Sequence, residues 1–301
     1  MNQNLSKTLS RMVADTQKEI AADKREESLG TLKIKLAKAP AVISFHDALR
    51  TGFGLIAEIK QRSPSAGSMN ENNVGRAPDI YKRSAIVRAV SVLTNRSHFG
   101  KKMTLKNLLK IKTTVQKPVL RKDFILDEYQ VYQARAYGAD AILLMANILE
   151  QDELHRLFDL AKELGMDVLF ETHEESEIKK IPSDAKIYGI NCRNFDSDGK
   201  TFAISAWLNR TFGWSLLKKD LTTNLSRFSY CGKLPSHSIK VAESGVKPEQ
   251  AATLREAGFN ALLVGTVLLK GKEPVAGVLG RFEKALQPNR ELNVELQHAH
   301  A

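Results

Sequence analysis

The chain has little cysteine: only Cys192 and Cys231 occur among its 301 residues. Two cysteines cannot form the disulfide framework of a small secreted domain, and their scarcity is typical of a reducing compartment. No apolar run approaches the roughly 18 residues that a membrane-spanning helix needs. Residues 1–18 also lack the apolar core of a signal peptide. We therefore expect a cytoplasmic protein that has no membrane partner.

Histidine is also sparse, with seven residues, and only His298 and His300 are close together, in a polar tail. This distribution predicts no metal site. The charge is unbalanced, because 45 Lys and Arg face 34 Asp and Glu and give a net charge of +11. Such a charge attracts nucleic acid and small anions alike. No nucleic-acid motif or aromatic-interleaved basic patch accompanies it, so we expect a solvated basic surface and no nucleic-acid partner.

Short apolar segments, several rich in Val and Ile, alternate with segments of helical periodicity after residue 50. The eight predicted strands are Leu55–Lys60, Ala89–Thr94, Pro118–Lys122, Ala141–Ala146, Asp167–Glu171, Ile187–Asn191, Ile239–Glu243 and Ala261–Gly265. Segments such as 127–137, 151–164 and 247–257 predict intervening helices. Strand and helix in regular alternation predict an α/β protein built as a parallel (β/α)8 TIM barrel. A doubly wound open sheet is the structural alternative.

Besides the barrel, the sequence predicts an N-terminal extension, an insertion and a C-terminal tail. Residues 1–50 predict an N-terminal helical extension on the outside or across one end of the fold, because apolar positions are spaced among many charges. The barrel itself is predicted over residues 51–286. From Asn191, the end of its sixth strand, to Glu243, the end of its seventh, the chain runs 52 residues, which predicts an insertion around 205–237. Residues 287–301 predict a frayed polar tail.

Charged and polar residues finish several of the apolar strands. Glu58 and Lys60 end the first strand and face the same side, because they are two positions apart. The other strand-end residues are Lys122, Glu171, Asn191, Arg193 and Glu243. An exposed ion pair explains Glu58 and Lys60 taken alone. Charges at the ends of five buried strands are costly unless they are paired or functional, so they predict a catalytic site at the carboxyl ends of the barrel.

Small residues end the last two strands, as Ser244-Gly245 and Gly265-Thr266. Glycine lets backbone N–H groups approach an anion closely. The loops after strands seven and eight are the usual phosphate site of this barrel. Each glycine alone also fits an ordinary turn. The paired arrangement predicts a phosphate seat made of Ser244, Gly245, Gly265 and Thr266.

Longer motifs appear along the chain in a fixed order. They are Ala57-Glu-Ile-Lys-Gln-Arg-Ser-Pro-Ser65, Ser91-Val-Leu-Thr94 with Phe99, Pro118-Val-Leu-Arg-Lys-Asp-Phe-Ile125, Gly138-Ala-Asp-Ala-Ile-Leu-Leu144, Gly189-Ile-Asn-Cys-Arg-Asn194 and Ala242-Glu-Ser-Gly-Val246. With these motifs the chain resembles the indole-3-glycerol phosphate synthase family over about residues 10–285. The resemblance implies a carbon-carbon lyase of tryptophan biosynthesis that needs no metal or organic cofactor. Its implied substrate is a small phosphorylated anthranilate derivative, 1-(2-carboxyphenylamino)-1-deoxyribulose 5-phosphate, which loses CO2 and water as the indole ring closes.

The same resemblance implies the roles of the strand-end residues. Lys122 corresponds to the general acid that protonates the substrate carbonyl, and Glu171 to a carboxylate that assists proton removal and dehydration. A general-acid lysine at neutral pH is expected to have a lowered pKa, from burial and nearby cations. Lys60 bridges the substrate carboxylate and the leaving hydroxyl, while Glu58 and Asn191 orient the anilino nitrogen and the hydroxyls. Polar support of the reaction is implied for Arg193, Glu243 and Ser244.

The resemblance also implies substrate contacts outside the strand ends. The residues expected to wall the aromatic ring are Phe99, Phe124, Leu143 and Phe195. The loop 61–68 suits a lid that excludes water, with Ser63 and Pro64 touching the bound substrate. The loop after the second strand departs from the family at Gly100-Lys-Lys-Met103. This departure leaves open a diverged paralogue, or a catalytically silent barrel that binds a phosphorylated ligand or partner. We expect a monomer or a homodimer.

A related activity, phosphoribosylanthranilate isomerisation, uses the same kind of barrel and phosphate seat. It would need a cysteine base near the first strand, and residues 55–67 contain no cysteine.

Overall fold

Eight strands close into a parallel barrel in the computed structural model, which describes residues 5–193 and 225–287. The ring contains β1 (Gly54–Ile59), β4 (Val87–Leu93), β5 (Val119–Lys122), β6 (Ala141–Met145), β7 (Asp167–Thr172), β8 (Ile187–Asn191), β9 (Ile239–Glu243) and β10 (Ala261–Val264). A hairpin of β2 (Arg62–Ser63) and β3 (Gly67–Ser68) follows β1. Because β1 pairs in parallel with both β4 and β10, the ring is closed. The predicted barrel is confirmed, and the open sheet is excluded.

Each observed strand begins and ends within two residues of its prediction. Every residue of β1, β6, β8 and β10 is buried, as expected of strands covered on both faces. Their continuous apolar runs therefore carried enough information to locate them.

Helices surround the ring and lie across its ends. They are α1 (Lys7–Glu26), α2 (Leu29–Leu36), α3 (Phe45–Arg50), α4 (Glu71–Arg83), α5 (Arg96–Phe99), α6 (Leu105–Val115), α7 (Glu128–Ala136), α8 (Gln151–Glu163), α9 (Ala251–Glu256), α10 (Thr266–Leu269) and α11 (Val275–Leu286). Short 3-10 helices occupy Glu175–Lys180, Leu225–Lys233 and Pro248–Gln250. The first seven helices each begin after a Ser, Thr, Asn or Asp whose side chain accepts a backbone hydrogen bond, the usual N-cap.

The helix expected over 247–257 is divided in the structure. Pro248–Gln250 forms a 3-10 turn, and α9 follows it. Proline is favoured at the first position of a helix because it has no N–H to leave unpaired, so it starts the turn. The 3.6-residue pattern alone did not reveal the tighter first turn.

The N-terminal helices run from one end of the barrel to the other. Thr16 of α1 accepts a hydrogen bond of 2.9 Å from the Asn95 amide, beyond the carboxyl end of β4. At the opposite end, the backbone N–H of His46 donates to Asp167, the first residue of β7, at 2.9 Å. Residues 5–50 therefore lie both outside the barrel and across its ends.

Part of the predicted organisation falls outside the described residues. The insertion expected around 205–237 can be described only over residues 225–237. The tail expected over 287–301 can be described only at Gln287. Over the described parts of the chain, no helix is both long enough and apolar enough to cross a membrane.

A buried ion pair joins four segments at the amino end of the barrel. Lys112 Nζ lies 2.7 Å from both carboxylate oxygens of Asp140. The backbone N–H groups of Ile43 and Val119 donate to the same carboxylate at 2.8 and 2.6 Å. Asp140 is fully buried, so these four hydrogen bonds replace its water.

Asp140→Ala should therefore destabilise the fold strongly. The change leaves Lys112 buried without its counter-ion, which costs about 3–5 kcal/mol of unfolding free energy. Urea unfolding followed by circular dichroism measures the loss. Asp184→Ala is the matched control, because it breaks the exposed pair between Asp184 and Lys162, worth about 0–1 kcal/mol. Equal losses in the two variants would contradict this assignment.

Candidate active site

A cavity of about 340 Å³ opens at the carboxyl ends of the barrel strands. We call this end the mouth. The predicted site residues that line the cavity are Glu58, Lys60, Phe99, Lys122, Phe124, Leu143, Glu171, Asn191, Arg193, Ser244, Gly245, Gly265 and Thr266. Residues far apart in sequence are thus brought to one space, as expected when parallel strands end on the same side.

Lys122 occupies the centre of the polar cluster. Its Nζ lies 2.8 Å from Glu171 Oε2 and 3.3 Å from Glu243 Oε2. The side chains of both glutamates are only 1% exposed. Glu243 does not line the cavity, and it acts on the cavity through Lys122.

The charged cluster has the arrangement of one layer of side chains in the barrel interior. Glu58, Lys122, Glu171 and Glu243 lie on the first, third, fifth and seventh strands of the ring. Alternate strands supply the four side chains of one interior layer in this fold. At the mouth the layer is charged instead of apolar, so the fold itself brings the carboxyl groups of Glu171 and Glu243 to the Lys122 ammonium.

Two glycines leave room for these carboxylates. A methyl group added at Gly189, on β8 between Glu171 and Glu243, would lie 2.0 Å from Glu243 Oε1. A methyl group at Gly265 would lie 2.1 Å from Glu58 Oε1. Gly265 was predicted only as part of the phosphate seat, and Gly189 was assigned no role. Their importance becomes visible only when the facing side chains are placed.

Glu58 and Lys60 form a buried pair. Lys60 Nζ lies 2.5 Å from Glu58 Oε1, and the two side chains are 6% and 5% exposed. The alternative of an exposed surface ion pair is therefore wrong. The Tyr81 hydroxyl donates to the Glu58 carbonyl at 3.2 Å, tying α4 to the end of β1.

The two lysines have pKa values shifted in opposite directions. Burial lowers the pKa of Lys122, but the carboxylates of Glu171 and Glu243 outweigh it and raise that pKa above the ordinary lysine value. This contradicts the expectation of a lowered pKa for Lys122. The pKa of Lys60 is lowered instead, by burial and by the charges of Arg193 and Lys122, which together outweigh Glu58.

The two carboxyl groups around Lys122 also differ. Burial would raise the pKa of Glu171, but Lys122, His173 and hydrogen bonds from Lys122 and Asn191 lower it to about 2. Burial raises the pKa of Glu243 to about 8, with a further contribution from the charge of Glu171. Glu171 is therefore an anion near neutral pH, while Glu243 readily holds a proton.

A histidine that was not predicted as a site residue lies beside Glu171. His173 Nε2 lies 3.6 Å from Glu171 Oε1, and the side chain is 5% exposed. Burial lowers the pKa of His173 to about 4, so the ring is neutral at physiological pH. Its position two residues after Glu171 was the available signal.

The predicted phosphate seat forms one side of the cavity. Ser244 and Gly245 adopt left-handed backbone angles, with φ of 67° and 75°. Such angles turn the chain sharply where β9 ends. Gly265 precedes the first residue of α10, Thr266. Two cationic residues that were not predicted, Lys247 and Arg281, line the same cavity.

Some of the residues predicted for the lid and for the wall around the aromatic ring line the cavity. Phe99, Phe124 and Leu143 line the cavity, together with Met12 of α1, which was not predicted. Ser63 is buried but does not line the cavity, whereas the adjacent Pro64 does. Phe195 lies outside the described residues.

Over residues 5–193 and 225–287, no group of three or more His, Cys, Asp and Glu residues is placed to hold a metal ion.

Comparison with protein families gives a match over most of the chain. The sequence model of the family described as "Indole-3-glycerol phosphate synthase" matches residues 9–207. A relative of that name from Bacteroides thetaiotaomicron is 35% identical over 283 residues, covering 93% of this chain and 98% of the relative. A relative of the same name from Lachnospira eligens is 36% identical, with the same two coverages. Most of the chain is thus shared with these enzymes.

A solved structure supports the fold alone. The crystal structure titled 3-hexulose-6-phosphate synthase superimposes with a TM-score of 0.56 at 13% sequence identity. The match covers 78% of this chain and 100% of that chain. At such low identity, the match supports the barrel architecture and says nothing about the reaction.

Gly189→Ala tests the packing of the charged layer. The added methyl group must displace the Glu243 carboxylate, and overpacking of this kind costs about 1–3 kcal/mol of unfolding free energy. Gly280→Ala is the control, because Gly280 lies in α11 with nothing within 4 Å of an added methyl group. The control should gain up to about 1 kcal/mol through helix propensity. If Gly189→Ala is as stable as the wild type in urea unfolding, the Glu243 carboxylate does not lie as close to Gly189 as the structure shows.

Glu243→Gln tests the raised pKa of Glu243. In the folded state that pKa is about 8, above the value of about 4.3 expected when unfolded. The folded protein therefore keeps a proton that the unfolded chain releases, and stability from this group is lost as pH rises from about 4.3 to 8. Glu243→Gln should flatten the fall in unfolding free energy between pH 5 and 8. Glu283→Gln, which removes an exposed carboxylate on α11, should keep the wild-type slope; a wild-type slope in Glu243→Gln would refute the shift.

Proposed function

The chain belongs to the indole-3-glycerol phosphate synthase family, and from this premise we propose how its mouth performs the family's reaction. The substrate is 1-(2-carboxyphenylamino)-1-deoxyribulose 5-phosphate, and the products are indole-3-glycerol phosphate, CO2 and water. The enzyme is a carboxy-lyase of tryptophan biosynthesis. The observation that carries the assignment of roles is the Lys122 ammonium held between Glu171 and Glu243 at the floor of the cavity.

Ring closure begins with proton donation from Lys122. The aromatic carbon that bears the carboxylate attacks the substrate carbonyl carbon, and the carbonyl oxygen takes a proton from Lys122 Nζ to become a hydroxyl. The raised pKa of Lys122 keeps this proton in place until then. The oxygen can still take it, because the alkoxide that would form without protonation is a stronger base than an amine. Loss of CO2 then returns its bonding electrons to the ring.

Dehydration completes the indole. The new hydroxyl leaves as water once it is protonated, and a proton is removed from the substrate to form the final double bond. Glu171 is the base for that removal, since its lowered pKa keeps it ionised. Lys60 bridges the substrate carboxylate until it leaves as CO2, and then donates the proton with which the hydroxyl leaves as water. Its lowered pKa suits proton donation near neutral pH.

The remaining residues bind and orient the substrate. Glu58 and Asn191 orient the anilino nitrogen and the hydroxyls, with polar support from Arg193. Phe99, Phe124 and Leu143 contact the aromatic ring, and Pro64 and Ser63 belong to the lid. The phosphate is held by Ser244, Gly245, Gly265 and Thr266, where backbone N–H groups are free to approach an anion.

A catalytically silent barrel is the remaining alternative. The intact group of Lys122, Glu171 and Lys60 favours an enzyme, because a buried cluster of charges is costly to keep without a use. The proposal also includes a cytoplasmic location and a monomer or homodimer, as expected from the sequence.

Lys122→Met tests both the reaction and the role of the lysine. Wild-type protein mixed with the anilino-ribulose phosphate should produce indole fluorescence. Removal of a general acid should cut turnover by about 10²–10⁴-fold, while circular dichroism shows a retained fold. Lys162→Met, on the exposed face of α8, should retain wild-type turnover.

The two parts of this proposal fail separately. Absence of product from folded wild-type protein would contradict the reaction. Product formation by Lys122→Met at the wild-type rate would mean that another group is the acid.

A further inference from the structure

We propose that Arg227 is a positioning residue for the proposed reaction, supplied by the long connection between β8 and β9. It lies on the 3-10 helix Leu225–Lys233. It clamps the loops that follow β7 and β8 and so fixes Asn191 against Glu171. The inference rests on the proposed function, and its test separates the two.

The guanidinium of Arg227 bridges two loops at the mouth. Its Nη1 donates to the Arg193 carbonyl at 2.9 Å and to the Asn191 carbonyl at 3.5 Å. Its Nη2 donates to Glu174 Oε1 at 3.1 Å. The Arg227 side chain is only 16% exposed. One planar group therefore holds the backbone after β8 and a side chain after β7 at a fixed separation.

The clamped backbone carries residues of the cavity. Asn191 Oδ1 accepts a hydrogen bond of 2.8 Å from the Arg193 backbone N–H, which fixes the turn after β8. The Asn191 side chain hydrogen-bonds Glu171, and Glu171 holds Lys122. A short chain of hydrogen bonds thus leads from Arg227 to the proposed acid, although Arg227 itself does not line the cavity.

The helix that bears Arg227 is anchored independently of the clamp. The Tyr230 hydroxyl lies 3.2 Å from Thr172 Oγ1, on β7. The Phe228 ring packs edge-on against Phe259, with 5.2 Å between the centroids. Cys231 and Leu234 are buried beneath it. Arg227 therefore extends from a helix that is held in place by its own packing. Its hydrogen bonds can fix the position of the two loops, because the helix does not move with them.

Arginine is suited to this position by its geometry. Its planar fork presents donors in fixed directions to two acceptors, whereas lysine offers one point charge on a flexible stem. Arg227→Lys should therefore keep the charge but lose the simultaneous hold on Glu174 and the β8 loop. A role through charge alone would let lysine substitute.

The first measurement is steady-state kinetics of the full chain. Arg227→Ala should lower kcat by about 10–100-fold, because misplacement of about 1 Å at a catalytic group has effects of this size. The KM should change by less than about threefold, since the residues proposed to hold the phosphate follow β9 and β10 and lie outside the clamped loops. Arg227→Lys should remain low, and free guanidinium at millimolar concentration should partly restore Arg227→Ala. Arg156→Ala, which breaks an exposed pair with Glu128 on α7, is the control and should match the wild type.

The second measurement does not depend on activity. Amide hydrogen exchange should be faster in Arg227→Ala than in wild type at residues 190–193 and 173–174, and unchanged in Arg156→Ala. If Arg227→Ala does not fold, Arg227→Lys takes its place in both measurements. An active wild type with an unchanged kcat in the variant overturns the inference. Unchanged exchange also overturns it, whether or not the wild type is active.

Discussion

The geometry of the active site centres on a lysine ammonium held between two carboxyl groups inside a closed ring of strands. Lys122 reaches Glu171 and Glu243 at 2.8 and 3.3 Å, and both acids are almost completely buried. Removing ions from water costs several kcal/mol each, and only good geometry offsets that cost. A parallel barrel supplies such geometry, because alternate strands project their side chains into one layer. The charged layer therefore depends on the rigid ring that positions its members.

The surrounding residues make that layer usable for chemistry. Gly189 and Gly265 leave space for carboxylates that a methyl group would displace. Opposed pKa shifts distinguish the two lysines, because Lys122 has two close carboxyl partners, whereas burial and the charges of Arg193 and Lys122 outweigh Glu58 at Lys60. One lysine thereby keeps its proton for a strongly basic oxygen, and the other loses its proton more easily. The same barrel interior thus provides acids of two strengths within one cavity.

The sequence predicted the features that follow from local periodicity, and it missed those that depend on contacts between residues far apart in the chain. Apolar runs and their polar ends placed the strands and brought Glu58, Lys122 and Glu171 to the mouth, because strand direction fixes where the ends meet. The predicted direction of the Lys122 pKa shift was wrong. The shift depends on two carboxylates that are 49 and 121 residues away in the sequence. Met12 and Arg281 were missed for the same reason, since each reaches the cavity from a helix whose packing no local pattern specifies. Of the two lid residues predicted to touch the substrate, Pro64 lines the cavity and Ser63 does not, a difference that loop composition cannot resolve.

The most direct test of the central claim is the protonation state of Lys122 in the folded protein. Nitrogen-15 NMR of the lysine Nζ groups, with the Lys122→Met spectrum to assign the resonance, follows this group through a pH titration. The expected result is a charged ammonium that loses its proton above the ordinary lysine midpoint of about 10.4. A midpoint below that value would contradict it, because the two carboxyl groups would then not be holding the proton on Lys122.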